Sequence, residues 1–424
     1  MKRSALIVLA VAIGAVAIGI YTNRSWSDAS KVDIPNQSNS QLLSRGNNYY
    51  GQLGNTTNSK LTESELYAST GLQDVTAIGA GLLHSVALKK DGTVWAWGSN
   101  DYGQLGVDDQ DFATSPQQIP GLPKVDKIAV SEHHNLALDA SGRVWAWGLN
   151  LSGQLGNNTN TNNFQPQLID GLDNIVAIAA GYRFSLAVSQ DGTLWAWGGK
   201  CPSEIFTLVD QEPLDDYYDP VDSDIHSTND FNNCRTEGNI NILSLVPKQI
   251  PGIDDVQAVS AGFGQIVILK NDGTVWAWGC NKYGQIGRGT FGNSNSENTP
   301  DRVPNLSDIV RISAGFRHSL ALDKNGSVWA WGHNLYGELG TNDKKDSPSP
   351  IQIDNLPVMA EVWAGYDYSL AQDASGNLWA WGQNTQFQFD SSDSIILTPK
   401  ILDWAKNTVL SSAGGGHILV LKHD

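Results

Sequence analysis

Basic side chains are scarce in this chain: 27 Lys and Arg stand against 44 Asp and Glu, a formal charge of −17. A surface that tracks a phosphate backbone needs the opposite balance, so nucleic-acid binding is disfavoured. Cysteine is nearly absent, with three residues in 424, and none sits where a lipid would be attached. There is no Gly-x-Ser-x-Gly elbow, no His-Glu-x-x-His zinc helix and no Gly-Lys-Ser/Thr phosphate loop, so nothing argues for catalysis or for a cofactor. Sustained helical periodicity is missing past the N-terminus, and the body is expected to be all-β.

What the chain has in abundance is one module. Trp-Ala-Trp-Gly occurs six times, ending at Gly98, Gly148, Gly198, Gly279, Gly332 and Gly382. Self-similarity at about 50 residues means a solenoid or a propeller, because a single unit cannot bury its own apolar face. Within a unit, Val-, Leu- and Trp-rich runs joined by Asp91-Gly92, Asp191-Gly192, Asp272-Gly273, Asn325-Gly326 or Ser141-Gly142 read as antiparallel hairpins. The first strand of the hairpin starts at His84, His134, Phe184, Gln265, His318, Tyr368 and His417, seven starts in all, and the first six lie 14 residues before their glycines. His417 has no partner downstream, whereas Gly46 to Gly54 matches Gly98 to Gly106 with no opening strand upstream. The two halves are complementary. A ring of seven blades, with one blade shared between the termini, removes the sheet edges an open array would expose.

The Ala-Gly-x-x-His-Ser-x-Ala-Leu strand, the Asp-Gly turn, the Trp-Ala-Trp-Gly strand and the Gly-Gln-Leu-Gly loop (Gly103–Gly106, Gly153–Gly156) resemble the regulator of chromosome condensation repeat family. The resemblance covers 41–424 and implies a seven-bladed β-propeller. For function it implies two unlike precedents. Nuclear members exchange guanine nucleotides on a small GTPase; some secreted bacterial members inhibit enzymes such as β-lactamase by capping their active site.

Residues 1–24 point away from the nucleus. Met1-Lys2-Arg3 precedes an uncharged run from Ser4 to Tyr21, which reads as a signal peptide or a membrane anchor. Ala15-Val16-Ala17 offers a cleavage site; the run continues past it, which favours the anchor. With Lys2 and Arg3 inside, the rest of the chain faces outward, and the Ser-, Asn- and Gln-rich residues 25–40 form a flexible linker. The membrane is met through this N-terminal segment only.

One unit is longer than the rest. Gly198 to Gly279 spans 81 residues where other copies take 50 to 53. The insertion, at about 199–246, carries ten acidic residues against Lys200 and Arg235. In an exported protein Cys201 and Cys234 are expected to form a disulfide at its base, with Cys280 an alternative partner for either. Asp215, Asp216, Asp219, Asp222 and Asp224 offer oxygen ligands, but an EF-hand's glycine and closing glutamate are missing. No metal is assigned; the loop is expected to be solvated and to face a basic partner.

The repeat also supplies candidates to discount. His84, His134, His318 and His417 share a position with Phe184, Gln265 and Tyr368, so packing or hydrogen bonding within a blade is expected of them. Twelve of the fifteen tryptophans come from the repeat strand; they are expected to fill the layers between blades, the two rings of a copy on opposite faces and the intervening Ala near the axis. The positions left for a partner are the two after each Ala-Gly, which vary between copies and recur once per blade as a ring on one face. Tyr182, Arg183, Phe263, Phe316, Arg317, Tyr366 and Asp367 are the candidates, since aromatics and Arg dominate interface hot spots. The expected function is a non-catalytic, extracytoplasmic protein-binding scaffold; a guanine-nucleotide exchange factor, or a lyase or hydrolase centred on the channel, are the alternatives.

Overall fold

The computed structural model describes residues 40–57, 63–69, 71–108, 110–199, 244–292, 299–389 and 391–423. The leader, the linker up to residue 39, and Cys201 and Cys234 of the insertion lie outside them. Among the described residues no helix is long and apolar enough to cross a membrane, and the only helical turn is the three-residue Asp403–Ala405.

Seven four-stranded antiparallel sheets make up the molecule. Blades one to six take their strands in chain order from the axis outward: 75–118, 125–168, 175–249, 256–302, 309–352 and 359–401. Blade seven is composite, ordered Glu63–Ala68, Ser40–Gly46, His417–His423, Thr408–Ala413. The 14-residue spacing reappears as register. His84 lies opposite Gly98, His318 opposite Gly332 and, across the two termini, His417 opposite Gly46. Gly46 has φ +120°, and a Cβ there would stand 2.2 Å from the carbonyl oxygen of Gly416, so closure requires glycine. The innermost strands touch in cyclic order around the axis, the strand at Thr408 meeting the one at Val75.

Turn chemistry fixes the hairpins. Asp91 accepts the Thr93 amide at 2.9 Å, Asp191 the Thr193 amide at 3.0 Å and Asp272 the Thr274 amide at 2.9 Å, leaving the glycine between them to take positive φ.

Between blades, one contributes an aliphatic face and the next its tryptophans. Leu136, Leu138, Val144 and Leu155 of blade two enclose Trp197 of blade three, with Trp195 packed alongside. Two expectations are corrected here. Residues two apart on a strand share a face, so both rings point at the preceding blade. The Trp-Ala-Trp-Gly strand is third from the axis, and its small partner is Ala187, directly opposite Trp195; axial crowding falls instead on the Ala-Gly pairs. The histidines differ as well, since they bond between blades. His134 Nε2 lies 2.9 Å from Ser185 Oγ, and Ser185 Oγ donates to the Gln154 carbonyl at 2.8 Å. With the hydroxyl proton so used, the imidazole must donate from Nε2. Trp197 Nε1 donates to the same carbonyl at 2.8 Å.

Candidate functional site

Six innermost strands end at Ala-Gly on one face and that of blade two at Val130-Ser131, and the third strands end there too, so the variable pairs and the Gly-Gln-Leu-Gly loops share the mouth of the channel. Gly198 and Ser244, which flank the insertion, occupy the same loop position in blade three. The Ala-Gly glycines are needed because a Cβ on Gly81 would meet the His84 ring at 2.3 Å. Backbone bonds step from blade to blade around the rim: Tyr182 N to Gly262 O at 3.1 Å, Phe316 N to Gly365 O at 3.1 Å, Gly415 N to Gly81 O at 3.0 Å. The rim encloses a cavity of about 100 Å³ on the axis, lined by the Ala-Gly residues and the first variable residue of each blade.

The ring is lopsided. Tyr182, Phe263, Phe316 and Tyr366 form a continuous aromatic arc across blades three to six, with centroid separations of 4.7, 4.5 and 3.7 Å. Leu82, Glu132 and Gly415 fill the rest. Arg183 stacks over Tyr182 at 5.1 Å; Arg317 lies over Phe316 at 4.7 Å and over Tyr283 at 5.2 Å. Such cation–π contacts help to fix each guanidinium. Burial separates the candidates: Phe316, Asp367 and Arg317 are only 6, 5 and 3 % exposed, whereas Tyr182, Arg183, Phe263 and Tyr366 are half-buried. The first three act as supports, and the last four are the ones a partner can touch.

Charges from four blades sense one another over the axis. Burial pushes the Glu132 carboxyl up to about 8; Arg183 and Arg317 pull it back, and Asp367 adds to the rise. The Tyr366 hydroxyl is pushed well up by burial and then by Glu132. His133, edge-on to Tyr102 at 4.9 Å, is driven down to about 3 by burial, with His84 and Arg183 adding to it. Farther out, His333 Nδ1 meets Glu338 Oε1 at 2.6 Å. Burial alone would lower the imidazole's pKa, but Glu338 and then Asp367 raise it above the usual value, and Glu338 is lowered by the same contact despite its burial.

Sequence reasoning missed three exposed apolar side chains in the mouth-face loops. Phe291, Leu335 and Phe387 are 55, 41 and 40 % exposed. Phe387 was detectable: it has φ +55° where the other copies carry Gly51, Gly103, Gly153, Gly284 and Gly337 at +78° to +85°. A bulky residue in the left-handed region is strained, and such strain clusters at functional positions.

Comparison with known proteins agrees with this architecture. Among curated proteins, the probable E3 ubiquitin-protein ligase HERC4 of Homo sapiens is 35% identical over 109 residues, 25% of this chain and 10% of that one. The ultraviolet-B receptor UVR8 of Arabidopsis thaliana is 32% identical over 110 residues, 25% of this chain and 24% of the receptor. The match thus spans a quarter or less of these relatives' length. Among solved structures, Prp20p of Saccharomyces cerevisiae, described with its binding to Gsp1p and histones, superposes with a TM-score of 0.74 at 22% identity, covering 90% of this chain and 91% of that one. Human WBSCR16 gives 0.73 at 19% identity, covering 91% and 100%. At such identities the likeness is one of fold. The family model for the RCC1-like domain, however, matches residues 41–420, all seven blades, and the chain belongs to that family.

Proposed function

We propose that this protein is a non-catalytic binding scaffold that holds a protein partner over the mouth of its propeller, outside the cytoplasm. The observation that carries the reading is the lopsided mouth. An aromatic arc across blades three to six lies beside exposed Phe291, Leu335 and Phe387 on the same half of the face, where a monomer has no reason to strand apolar side chains together. Half-buried Tyr182, Phe263 and Tyr366 with Arg183 supply the hot-spot chemistry.

The finer parts of the reading rest on the sequence. Residues 1–24 export the chain or anchor it, 25–40 tether it, and the acidic insertion, stapled by Cys201 and Cys234, extends the mouth face toward a basic segment of the partner. Guanine-nucleotide exchange is the second reading, and the fold shared with Prp20p favours it; it requires a cytosolic or nuclear GTPase, which an exported propeller would not meet.

Site-specific photo-crosslinking in the producing cell tests this. A crosslinker at Phe387 should give a discrete protein adduct, while one at Val358 on the opposite face, 64 % exposed, should give none. Adducts from Val358 alone, or from neither position, reject mouth-face binding, and fractionation of the same cells decides between the exported and cytosolic readings.

A further inference from the structure

The repeat is its own control, and three residues of blades five and six depart from it in one place. Where Glu338 stands, the other described loops carry Gln52, Gln104, Gln154, Gln285 and Gln388. In blade one, Gln104 Oε1 accepts the Tyr102 amide at 2.9 Å, and its Nε2 donates to Ser99 Oγ at 3.1 Å. In blade five, Glu338 Oε2 accepts the Tyr336 amide at 2.8 Å, but the second atom is an oxygen with nothing to donate, and it faces His333 Nδ1. Asp367, from the rim of blade six, completes the group. One ligand-capable atom from each lies within 4.8 Å of the others, and all three residues are buried. A histidine appears at 333 where other loops have Asn, Ser, Leu, Gly, Cys or Gln, and a carboxylate at 367 where other rims have Leu, His, Arg or Gly.

We propose that His333, Glu338 and Asp367 bind one divalent first-row transition-metal ion, of which Zn²⁺ is the representative, tying the loop of blade five to the rim of blade six. One imidazole nitrogen and two carboxylate oxygens make a three-ligand set with an open position, suited to zinc or manganese; calcium would want six or more oxygens. The frame is rigid, as a metal site requires. The Glu338 carbonyl accepts Trp381 Nε1 at 2.7 Å and Ser369 Oγ at 2.8 Å, the His333 amide donates to the Arg317 carbonyl at 3.0 Å, and Tyr283 packs edge-on to the imidazole at 4.7 Å. Imidazole and carboxylate ligands bind a metal in their deprotonated forms, so binding weakens in acid. Arg317, stacked over Phe316 and Tyr283, is the neighbouring cation that keeps affinity moderate.

The test is metal alone on the full-length protein, stripped with a chelator and titrated calorimetrically with Zn²⁺. One ion per chain at micromolar affinity or tighter is expected. The double variant His333→Ser with Glu338→Gln restores the Ser99–Gln104 pairing of blade one and should fold on that pattern; Asp367→Asn is a second, single-atom change. Each should keep the far-ultraviolet spectrum of the parent and weaken Zn²⁺ by about tenfold or more. Absence of uptake in the parent, uptake unchanged in the folded variants, or a preference for Ca²⁺ over Zn²⁺ would overturn the proposal.

Discussion

Of the seven joints between blades, four carry one hydrogen-bonded triplet and two are apolar at the same place, while between blades four and five Gln265 takes the histidine's position and Ser319 Oγ still donates to the Gln285 carbonyl at 3.0 Å. At four joints a histidine meets a Ser or Asn of the next blade, which in turn donates to the carbonyl of the Gly-Gln-Leu-Gly loop. These are His84, Asn135 and the Gln104 carbonyl; His134, Ser185 and Gln154; His318, Ser369 and Glu338; His417, Ser85 and Gln52. At the joint between blades three and four, the sequence carries the insertion and no Gly-Gln-Leu-Gly motif. The hydroxyl position there becomes Ile266 and the histidine position Phe184, both buried in one apolar cluster. The joint between blades six and seven carries Ile418 and Tyr368, whose hydroxyl reaches the His417 carbonyl instead at 2.9 Å. At both joints the hydroxyl and the imidazole are lost together, because a buried hydroxyl or imidazole with nothing to bond costs more than an apolar contact returns.

The largest way to break the polar joints is acid. Burial holds His84 and His318 down at about 4 and His134 and His417 at about 3. Their folded pKa values lie below the unfolded one, so the unfolded chain binds more protons below about pH 6.5; stability is full above that pH and is lost as pH falls toward the folded values. Each imidazole contributes about 1.4 kcal/mol per pH unit in that window. His133 adds to the loss, and Glu132, whose carboxyl is raised, offsets one histidine. Denaturant midpoints should drop by the equivalent of roughly 5 kcal/mol between neutral pH and about pH 5.5. His318→Gln, copying Gln265 of blade four, should lessen that dependence, and a parallel pH profile in the variant would show the joints are not responsible.

Next in size is the indole beneath each polar joint. Trp147 is fully buried, and its Nε1 donates to the Gln104 carbonyl at 3.1 Å. Trp147→Ala should lower stability by about 4 kcal/mol, chiefly through the cavity it leaves. At the closure joint the same column holds Arg45, whose Nε donates to the Phe387 carbonyl at 3.0 Å. Because Arg45 fills no comparable pocket, Arg45→Ala should cost only about 1 kcal/mol. Equal losses in urea unfolding would mean that the closure joint is as firmly packed as the others.

A smaller contrast sharpens the comparison within one triplet. Ser185→Ala should cost about 2 kcal/mol by leaving the His134 imidazole without its partner and the Gln154 carbonyl with Trp197 Nε1 alone. Ile266→Ser should cost a similar amount by burying a hydroxyl against Phe184. Combining Ile266→Ser with Phe184→His lets the new pair bond, so the double variant should be more stable than the sum of the singles by about 1 kcal/mol. Strict additivity would show that an acceptor outside the pair is the indispensable member.

These joints mark how far the sequence could be read. Blade number, closure through His417 and Gly46 and the mouth-face ring were legible because each recurs at fixed spacing. The innermost strands were not, since Val75–Ala80 and Ile309–Ala314 share little beyond an apolar start and a final Ala. The Phe184–Ile266 pair is visible in hindsight only by comparing columns 82 residues apart, where two residues change together in the copy that loses its loop. At the mouth, periodicity placed Phe316 and Arg317 on the ring, but the stacking that buries them depends on Tyr283, Phe263 and Tyr366, all distant in sequence. Glu338 could have been noticed as the lone acid among glutamines; that His333 and Asp367 converge on it could not.

The smallest effect on stability should accompany the largest on binding. Phe387 keeps a left-handed backbone that glycine adopts at five equivalent positions, and it spends no burial on doing so. Phe387→Gly should therefore raise stability slightly, by about 0.5 kcal/mol, because relief of strain is partly offset by the added entropy of the unfolded chain. If the side chain is retained for contact, the same variant should lose mouth-face crosslinking introduced at half-buried Tyr182 while its melting temperature holds or climbs. A gain in stability with undiminished crosslinking would separate the strain from recognition, and would place the partner's footprint on the aromatic arc alone.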